Sequence, residues 1–175
     1  MDLKALVRTI PDHPKPGIQF RDITTLVGDA QGFATLIEVL HARYKAERID
    51  KVVGMEARGF IIGAALAADL RAGFVPLRKP GKLPFRTLGC DYALEYGMDR
   101  IEMHVDAISP GERVLVVDDL IATGGTARAA CALVRESGGE VVECCFVVDL
   151  PELGGRKLLE RAGHRVYAVM AFEGH

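Results

Sequence analysis

Two adjacent carboxylates, Asp118 and Asp119, stand just before a turn made of small and hydroxyl-bearing residues. The turn consists of Ala122, Thr123, Gly124, Gly125 and Thr126, and the residues from Ala127 to Glu136 favour a helix. Backbone N–H groups converge where such a loop enters a helix, and the helix dipole adds partial positive charge, so a phosphate monoester fits there. Carboxylates accept hydrogen bonds from paired hydroxyls. Together these residues indicate a site for a sugar phosphate.

A buried strand must position the acidic pair. Val114 to Val117 form a continuous apolar run, which is typical of a central parallel strand covered on both faces. The carboxylates follow where that strand would emerge at its C-terminal edge, the place where open α/β sheets bind ligands. The loop is not a Walker A loop, because no Gly-Lys-Ser/Thr closes it. A simpler interpretation is a helix N-terminus that Asp119 and Thr123 only cap, but the full pattern exceeds what capping needs.

The rest of the chain alternates strand and helix patterns. Strands are predicted over 51–55, 74–77, 141–148 and 166–170, and helices over 59–70, over a broken segment at 152–162, and after Asp29, a plausible cap. A short helix is also predicted over 2–9, followed by an extended segment over 11–17. Residues 92–96 and 101–104 alternate across a turn at 97–100 and predict a β-hairpin inserted between these units. The predicted fold is α/β, with a mostly parallel central sheet flanked by helices.

The bulk properties describe one globular domain over residues 1–175, with 49% hydrophobic and 26% charged residues. The formal net charge of −2 gives no electrostatic reason to expect a nucleic acid or an anionic membrane as partner. The longest apolar run, 60–68, is too short to span a bilayer, and we see no signal-peptide core. The cysteines, Cys90, Cys131, Cys144 and Cys145, show no C-x-x-C spacing and no nearby histidine partners, which predicts a reduced, cytoplasmic protein.

The stretch from Val116 to Thr126 resembles the signature of the type I phosphoribosyltransferases, which bind 5-phosphoribosyl 1-pyrophosphate (PRPP). Four further segments, 16–23, 56–60, 78–84 and 94–97, resemble the branch of that family that uses adenine, and they follow one another along nearly the whole chain. The resemblance implies a Rossmann-like fold, a base-binding segment at 1–28, and a flexible loop with a lid hairpin at 80–104. It also implies a purine salvage reaction in which adenine and PRPP give AMP and pyrophosphate.

The resemblance assigns the purine contacts to the segment 18–23. Phe20 would stack on the base, and the backbone of Gln19 and Arg21 would recognise its edge. The residue pattern alone instead favours a short edge strand with Phe20 in the core. In the lid, Glu95 would exchange a proton with the purine and Tyr96 would help to close the site, although Glu95 alone would be taken as an exposed strand residue.

The resemblance assigns the pyrophosphate to three cations. Arg58 follows a predicted strand and begins a helix, a position slightly unfavourable for a cation unless it faces an anion. The Glu56–Ala57 peptide would be strained or cis. Lys82, and then Lys79, belong to a basic loop that would lie at a homodimer interface and reach the partner's site. A solvated charge run is the ordinary explanation of such a loop.

Asp118 and Asp119 would bind the ribose hydroxyls, and the 122–126 loop would anchor the 5′-phosphate. Mg²⁺ would arrive on the substrate, with no protein residue assigned as its ligand. Three alternatives stay open: another purine, a non-catalytic sensor of phosphoribosyl ligands, or a purely structural role. A 6-oxo purine usually calls for a lysine near O6, and none is obvious close to the phosphate loop or in 18–23. A sensor would need an added DNA-binding domain or a decayed lid, and a structural role leaves the acidic pair unexplained.

Overall fold

Strands and helices alternate along the chain, in a computed structural model that describes residues 1–94 and 96–175. The strands are β1 (Arg8–Ile10), β2 (Phe20–Asp22), β3 (Lys51–Met55), β4 (Gly73–Leu77), β5 (Thr87–Ala93), β6 (Met98–His104), β7 (Arg113–Ile121), β8 (Glu140–Asp149) and β9 (Val166–Ala171). The α-helices are α1 (Thr24–Val27), α2 (Ala30–Tyr44), α3 (Arg58–Leu70), α4 (Gly125–Glu136) and α5 (Gly155–Arg161). Short 3₁₀ helices cover Leu3–Leu6 and Pro151–Leu153.

The central sheet is parallel and has the strand order β4-β3-β7-β8-β9. The chain passes outward from β3 to β4 on one side and from β7 through β8 to β9 on the other. The carboxyl ends of β3 and β7 therefore flank a topological switch point, where open α/β sheets bind ligands. Because Gly54 pairs with Val117, the acidic pair on β7 lies beside the turn that leaves β3. The predicted α/β class with a mostly parallel sheet is confirmed.

Apolar side chains cover both faces of this sheet. One face packs against α4 and the β5–β6 hairpin and includes Val116 and Cys144. The other packs against α2 and α3 and includes Val117 and Cys145. The alternation of neighbouring strand residues between faces explains this division and confirms that Cys144 and Cys145 point apart. In α2, the Asp29 side chain accepts a hydrogen bond from Gly32 N at 2.7 Å, which confirms the predicted cap.

Two predicted boundaries around the acidic pair were wrong. The strand does not stop at Val117 but continues as β7 to Ile121, where Ile121 pairs with Asp149 of β8. The acidic pair therefore lies within the strand. Helix α4 begins at Gly125 and not at Ala127, because the loop positions two poor helix formers in the first helical turn.

The hairpin is present, but its turn was misplaced. Strands β5 and β6 pair antiparallel, with Ala93 opposite Met98, and Leu94 N donates to Gly97 O at 2.9 Å. The turn therefore ends at Gly97 and does not begin there, because its φ of +99° suits the last turn position. The predicted role of Glu95 falls outside the described residues.

The short helix predicted over residues 2–9 is present only as the 3₁₀ helix Leu3–Leu6, and from Arg8 onward the segment forms a small ribbon. Strands β1 and β2 pair antiparallel, with Ile10 opposite Phe20. Asp22 closes the ribbon by accepting hydrogen bonds from Arg8 and from Thr24. Phe20 is half-buried and outside the core, so the interpretation of 18–23 as an edge strand with a core Phe20 was only half right.

Candidate active site

The acidic pair is held by the backbone around it. Asp119 is 4% exposed, and its N–H donates to Asp118 Oδ1 at 2.8 Å. The Asp118 carboxylate lies against the first turn of α3, where a Cβ on Gly59 would come within 2.7 Å of Oδ1. Burial, and then the neighbouring Asp119, raise the pKa of Asp118 well above its usual range. Two carboxyl groups in different environments therefore stand within the central strand, near its carboxyl end.

Arg58 faces an anion, as its position at a helix start suggested. Its Nε lies 2.5 Å from Asp119 Oδ2, and its guanidinium lies 5.6 Å from the centre of the Phe20 ring. Burial opposes the charged form, but the hydrogen bond to Asp119 and the nearby carboxylate charges together outweigh it and raise the pKa of Arg58. The pair joins the turn after β3 to the end of β7 across the switch point.

The predicted phosphate loop rests on backbone and not on side chains. Gly124 has a φ of +88° and precedes α4 without a capping side chain among the described residues, so capping by Asp119 or Thr123 was the wrong interpretation. Gly155 N donates to Ala122 O at 3.0 Å. A Cβ on Gly155 would meet that oxygen at 2.5 Å, so the loop packs directly on this glycine.

The space enclosed by the loop suits an anion. A small cavity of 120 Å³ is lined by Asp118 and by all of the predicted loop residues, Ala122, Thr123, Gly124, Gly125 and Thr126. The first N–H groups of a helix have no partner within it and carry partial positive charge, so the start of α4 provides donors for this cavity.

A larger cavity of 690 Å³ adjoins the loop and contains the predicted purine wall. Gln19, Phe20 and Arg21 line it together with Arg58 and Thr123. The Arg21 guanidinium is held by two other parts of the chain. It donates to Thr9 Oγ1 at 2.6 Å and to the Gly174 carbonyl at 2.6 Å. The side chain of Arg21 thus joins β1 to the C-terminal segment.

The basic loop is held by acids of the same chain. Glu56 accepts hydrogen bonds from Lys79 N at 2.8 Å, from Arg78 Nε at 3.2 Å and from Lys82 Nζ at 2.6 Å. These contacts outweigh burial and lower the pKa of Glu56. Lys79 Nζ also contacts Asp99 and donates to Tyr92 Oη at 2.9 Å. A solvated charge run was therefore the wrong description.

Sequence reasoning placed the turn at 56–59 in the site but missed the contacts of the Glu56 side chain, and it missed Gly155 altogether. The signal for Glu56 was its place between a strand and Arg58, and the Glu56–Ala57 peptide is cis, as the resemblance implied. The signal for Gly155 was a pair of glycines that interrupts a helical pattern. Tyr96, in contrast, is not brought to the other candidates in this conformation, because it is 83% exposed. Within the described ranges, no helix is both long and apolar enough to cross a bilayer.

Comparisons with known proteins agree with this geometry. The model of the phosphoribosyl transferase domain family matches residues 27–159. An adenine phosphoribosyltransferase from Nitrosomonas europaea is 59% identical over 173 residues, which cover 99% of each chain. A solved adenine phosphoribosyltransferase from Rhodothermus marinus is 54% identical, covers 97% of this chain and 96% of its own, and has a TM-score of 0.92.

A third similar protein was solved with ligands. It is the Saccharomyces cerevisiae adenine phosphoribosyltransferase in complex with an imino-altritol bisphosphate and adenine, at 38% identity, 96% coverage of each chain and a TM-score of 0.90. The domain match covers well over half of the chain, and the curated relative spans almost all of it. The chain therefore belongs to the phosphoribosyltransferase family, among the adenine phosphoribosyltransferases.

Proposed function

We propose that this chain transfers the phosphoribosyl group of PRPP to N9 of adenine in purine salvage, forming AMP and pyrophosphate. The bond between C1′ and the pyrophosphate oxygen breaks, a bond from C1′ to N9 forms, and the N9 proton leaves. The observation that carries the proposal is the meeting of the acidic pair, the 122–126 loop and the Phe20 wall at one topological switch point. This arrangement offers separate places for a sugar, a phosphate and a flat base.

The ribose lies over the acidic pair in this proposal. Breaking the anomeric bond leaves positive charge on the ribose ring, and a preorganised negative group stabilises that charge most effectively where water is excluded. Asp118 and Asp119 accept hydrogen bonds from the two ribose hydroxyls. The 120 Å³ cavity beside them takes the 5′-phosphate, so binding energy from a group remote from the reaction orients the reacting carbon.

The leaving pyrophosphate is met by Arg58, Lys79 and Lys82. Arg58 is already directed at the switch point by its contact with Asp119. Both lysines lie on the 78–84 loop, which is tied to Glu56 of its own chain and, in the homodimer proposed below, reaches the pyrophosphate in the partner's site. A pyrophosphate competes with Glu56 for the Lys82 ammonium, so Lys82 leaves the Glu56 carboxylate when it binds the substrate.

Adenine is proposed as the base because the cavity offers a ring for stacking, and its arginines, Arg21 and Arg58, already bond to the Gly174 carbonyl and to Asp119 rather than standing ready for a 6-oxo group. Phe20 supplies a ring for stacking, and the backbone of Gln19 and Arg21 supplies amide donors and acceptors. Among the described residues that line the 690 Å³ cavity, none is a lysine. The solved yeast relative was crystallised with adenine, which supports the same choice.

The lid contributes the proton-transfer group. By resemblance, Glu95 exchanges the proton of the purine and Tyr96 helps to close the hairpin over the site. Ala93, two residues before Glu95, already lines the 690 Å³ cavity. Replacing Glu95 with Gln and with Ala tests this role, and unchanged turnover in both variants removes Glu95 from the chemistry.

Mg²⁺ fits the oxygen-rich donor set formed by Asp118 and Asp119 together with the substrate. Mg²⁺ prefers few protein ligands and several waters, and the described residues place no third carboxylate or histidine with this pair. When bound, the ion would neutralise charge on the pyrophosphate. We also propose a homodimer in which the 78–84 loop reaches the partner's site. A cytoplasmic location remains a prediction from the sequence.

The purified chain with Mg²⁺ and PRPP should be offered adenine, hypoxanthine, guanine and xanthine in parallel, and nucleotide formation followed. AMP formed much faster than the other nucleotides supports the proposal. Preference for another base keeps the phosphoribosyl site but discards the Gln19–Arg21 contacts. Binding of PRPP without any nucleotide product would favour a sensor.

A further inference from the structure

The residues that follow β9 connect two walls of the 690 Å³ cavity. Residues 172–175, which we call the strap, come directly after this last strand of the sheet. His175 of the strap lines the cavity together with the 18–21 wall and with Leu150 and Leu153 from the far side of the sheet edge. The strap is therefore part of the space in which the base is proposed to bind.

The Arg21 side chain fastens the strap to the first of these walls. Its Nη2 donates to the Glu173 carbonyl at 3.1 Å and to the Gly174 carbonyl at 2.6 Å, and its guanidinium lies 4.6 Å from the centre of the Phe172 ring. Hydrogen bonds from a charged donor are stronger than those between neutral groups, and an aromatic ring attracts a cation above its face. These contacts hold the strap against β2, the strand that begins at Phe20.

Glu152 fastens the strap to the second wall. Its Oε1 accepts a hydrogen bond from Gly174 N at 3.2 Å, and its Oε2 lies 3.2 Å from His175 Nδ1. Glu152 belongs to the 3₁₀ helix that ends at Leu153, a residue of the cavity wall. The peptide groups of Gly174 are thus held between a cation from one wall and a carboxylate from the other.

We propose that Arg21 and Glu152 are positioning residues, which act through the strap to hold the 18–21 wall at the distance from the 150–153 wall that a purine fills. This inference rests on the proposed function, in which the base lies in this cavity. A contribution to stability alone would not require both fastenings to lie on segments that line the same cavity. Because small misplacements of a substrate-binding group slow a reaction strongly, a loose wall impairs the use of the base. The phosphate subsite is built by other residues and stays intact.

Kinetics of single and double variants test the proposal. Arg21→Met and Glu152→Ala should each raise KM for adenine by about fivefold or more and leave KM for PRPP nearly unchanged. Arg21→Lys keeps the charge and should recover part of the loss. The double variant should be little worse than the poorer single variant, because both changes release the same strap. Arg113→Met is the matched control, since its guanidinium donates to the Arg48 carbonyl at 2.9 Å at the amino end of β7, and it should keep KM for adenine.

Hydrogen–deuterium exchange of the unliganded chains provides a readout that needs no activity. Glu152 makes its contacts with the strap, yet Glu152→Ala should speed amide exchange at 18–21 as well as at 172–175. The Glu152 side chain is half exposed, so this variant should fold even if Arg21→Met does not, with circular dichroism as the check.

The outcomes separate the strap from the proposed function. A chain that forms no nucleotide from any base refutes the proposed function, and exchange then decides whether the strap holds the 18–21 wall. The strap proposal is overturned if the folded variants keep KM for adenine, if KM for PRPP rises equally, if the losses in the double variant multiply, or if Glu152→Ala leaves exchange at 18–21 unchanged.

Discussion

Arg58 and Asp119 form an ion pair, Nε to Oδ2 at 2.5 Å, that joins the first residue of α3 to the end of the central strand. Asp119 is buried, whereas the Arg58 side chain remains partly exposed beside the 690 Å³ cavity. A buried carboxylate whose cationic partner is partly exposed can exchange that partner for a substrate hydroxyl. The pair therefore connects the proposed ribose and pyrophosphate subsites.

Asp119→Asn should lower kcat/KM for AMP formation by roughly 10²-fold or more, because it removes a negative charge at the position of the developing ribose cation. The shape of the side chain is nearly kept, so folding should be retained. Steady-state kinetics and circular dichroism check the two parts. Asp106→Asn, an exposed acid outside the site, is the matched control. Normal activity of Asp119→Asn would contradict its assigned role.

Phe20→Leu should raise KM for adenine by about tenfold and leave KM for PRPP nearly unchanged, because an aromatic ring stacked on a base contributes about 1–3 kcal/mol. Varying each substrate at saturation of the other measures both constants. Phe85→Leu replaces an exposed aromatic residue and should change neither constant. An equal rise of both constants would mean that Phe20 only supports the fold.

Gly155→Ala should destabilise the chain by about 1–3 kcal/mol and raise KM for PRPP, because the new Cβ would overlap Ala122 O and displace the phosphate loop. Urea unfolding and PRPP kinetics provide the two measurements. Gly111→Ala is the control, since Gly111 has a φ of +83° and no atom near its Cβ position. Gly111→Ala should lower the free energy of unfolding by about 1 kcal/mol, from backbone strain alone, and leave KM for PRPP unchanged. Identical kinetic losses in both variants would argue against the overlap.

Asp22→Asn should be less stable than the unchanged chain near pH 6 by about 1–2 kcal/mol, and the difference should shrink in acid. Hydrogen bonds from Thr24, and then from Arg8, lower the pKa of Asp22 to about 2 from a reference of 3.8. A carboxylate whose pKa is lowered by folding stabilises the fold at pH values above its pKa in the unfolded chain. This contribution is lost as the pH falls from about 4 through 2. Urea unfolding at several pH values tests this, and a difference independent of pH would contradict it.

Local patterns were enough to predict the central sheet and the general position of the site. Mostly apolar stretches identified β3, β7 and β8, because strands covered on both faces carry few polar residues; Glu143 of β8 is a buried exception that pairs with Arg43. The start of α4 was misplaced because Gly125 and Thr126 are poor helix formers that only the tertiary structure holds in a helical turn. The hairpin turn was predicted too late in the sequence, because a glycine such as Gly97 can stand at the end of a turn as readily as at its beginning.

Long-range partners could not be predicted from spacing. Glu56 contacts Lys82, which is 26 residues away. Gly155 contacts Ala122 through backbone atoms, which are the same in every residue and therefore give no sequence signal. The proximity of Cys131, Cys144 and His164 likewise depends on how α4, β8 and the turn before β9 pack together. The roles of Gln19, Arg21 and Glu95 came from the resemblance, because backbone readout and proton transfer have no signature in an isolated residue pattern.

The direct packing of the phosphate loop on Gly155 also bears on how such a chain can diversify. The loop's position is set by atoms that every residue possesses and by a place where no side chain fits. Few substitutions at this position can therefore change the sugar-phosphate subsite in small steps. The wall at 18–21, in contrast, includes the Phe20 side chain, which other residues can replace. Laboratory evolution toward a different base should find its accepted substitutions there, while the anion subsite is inherited unchanged.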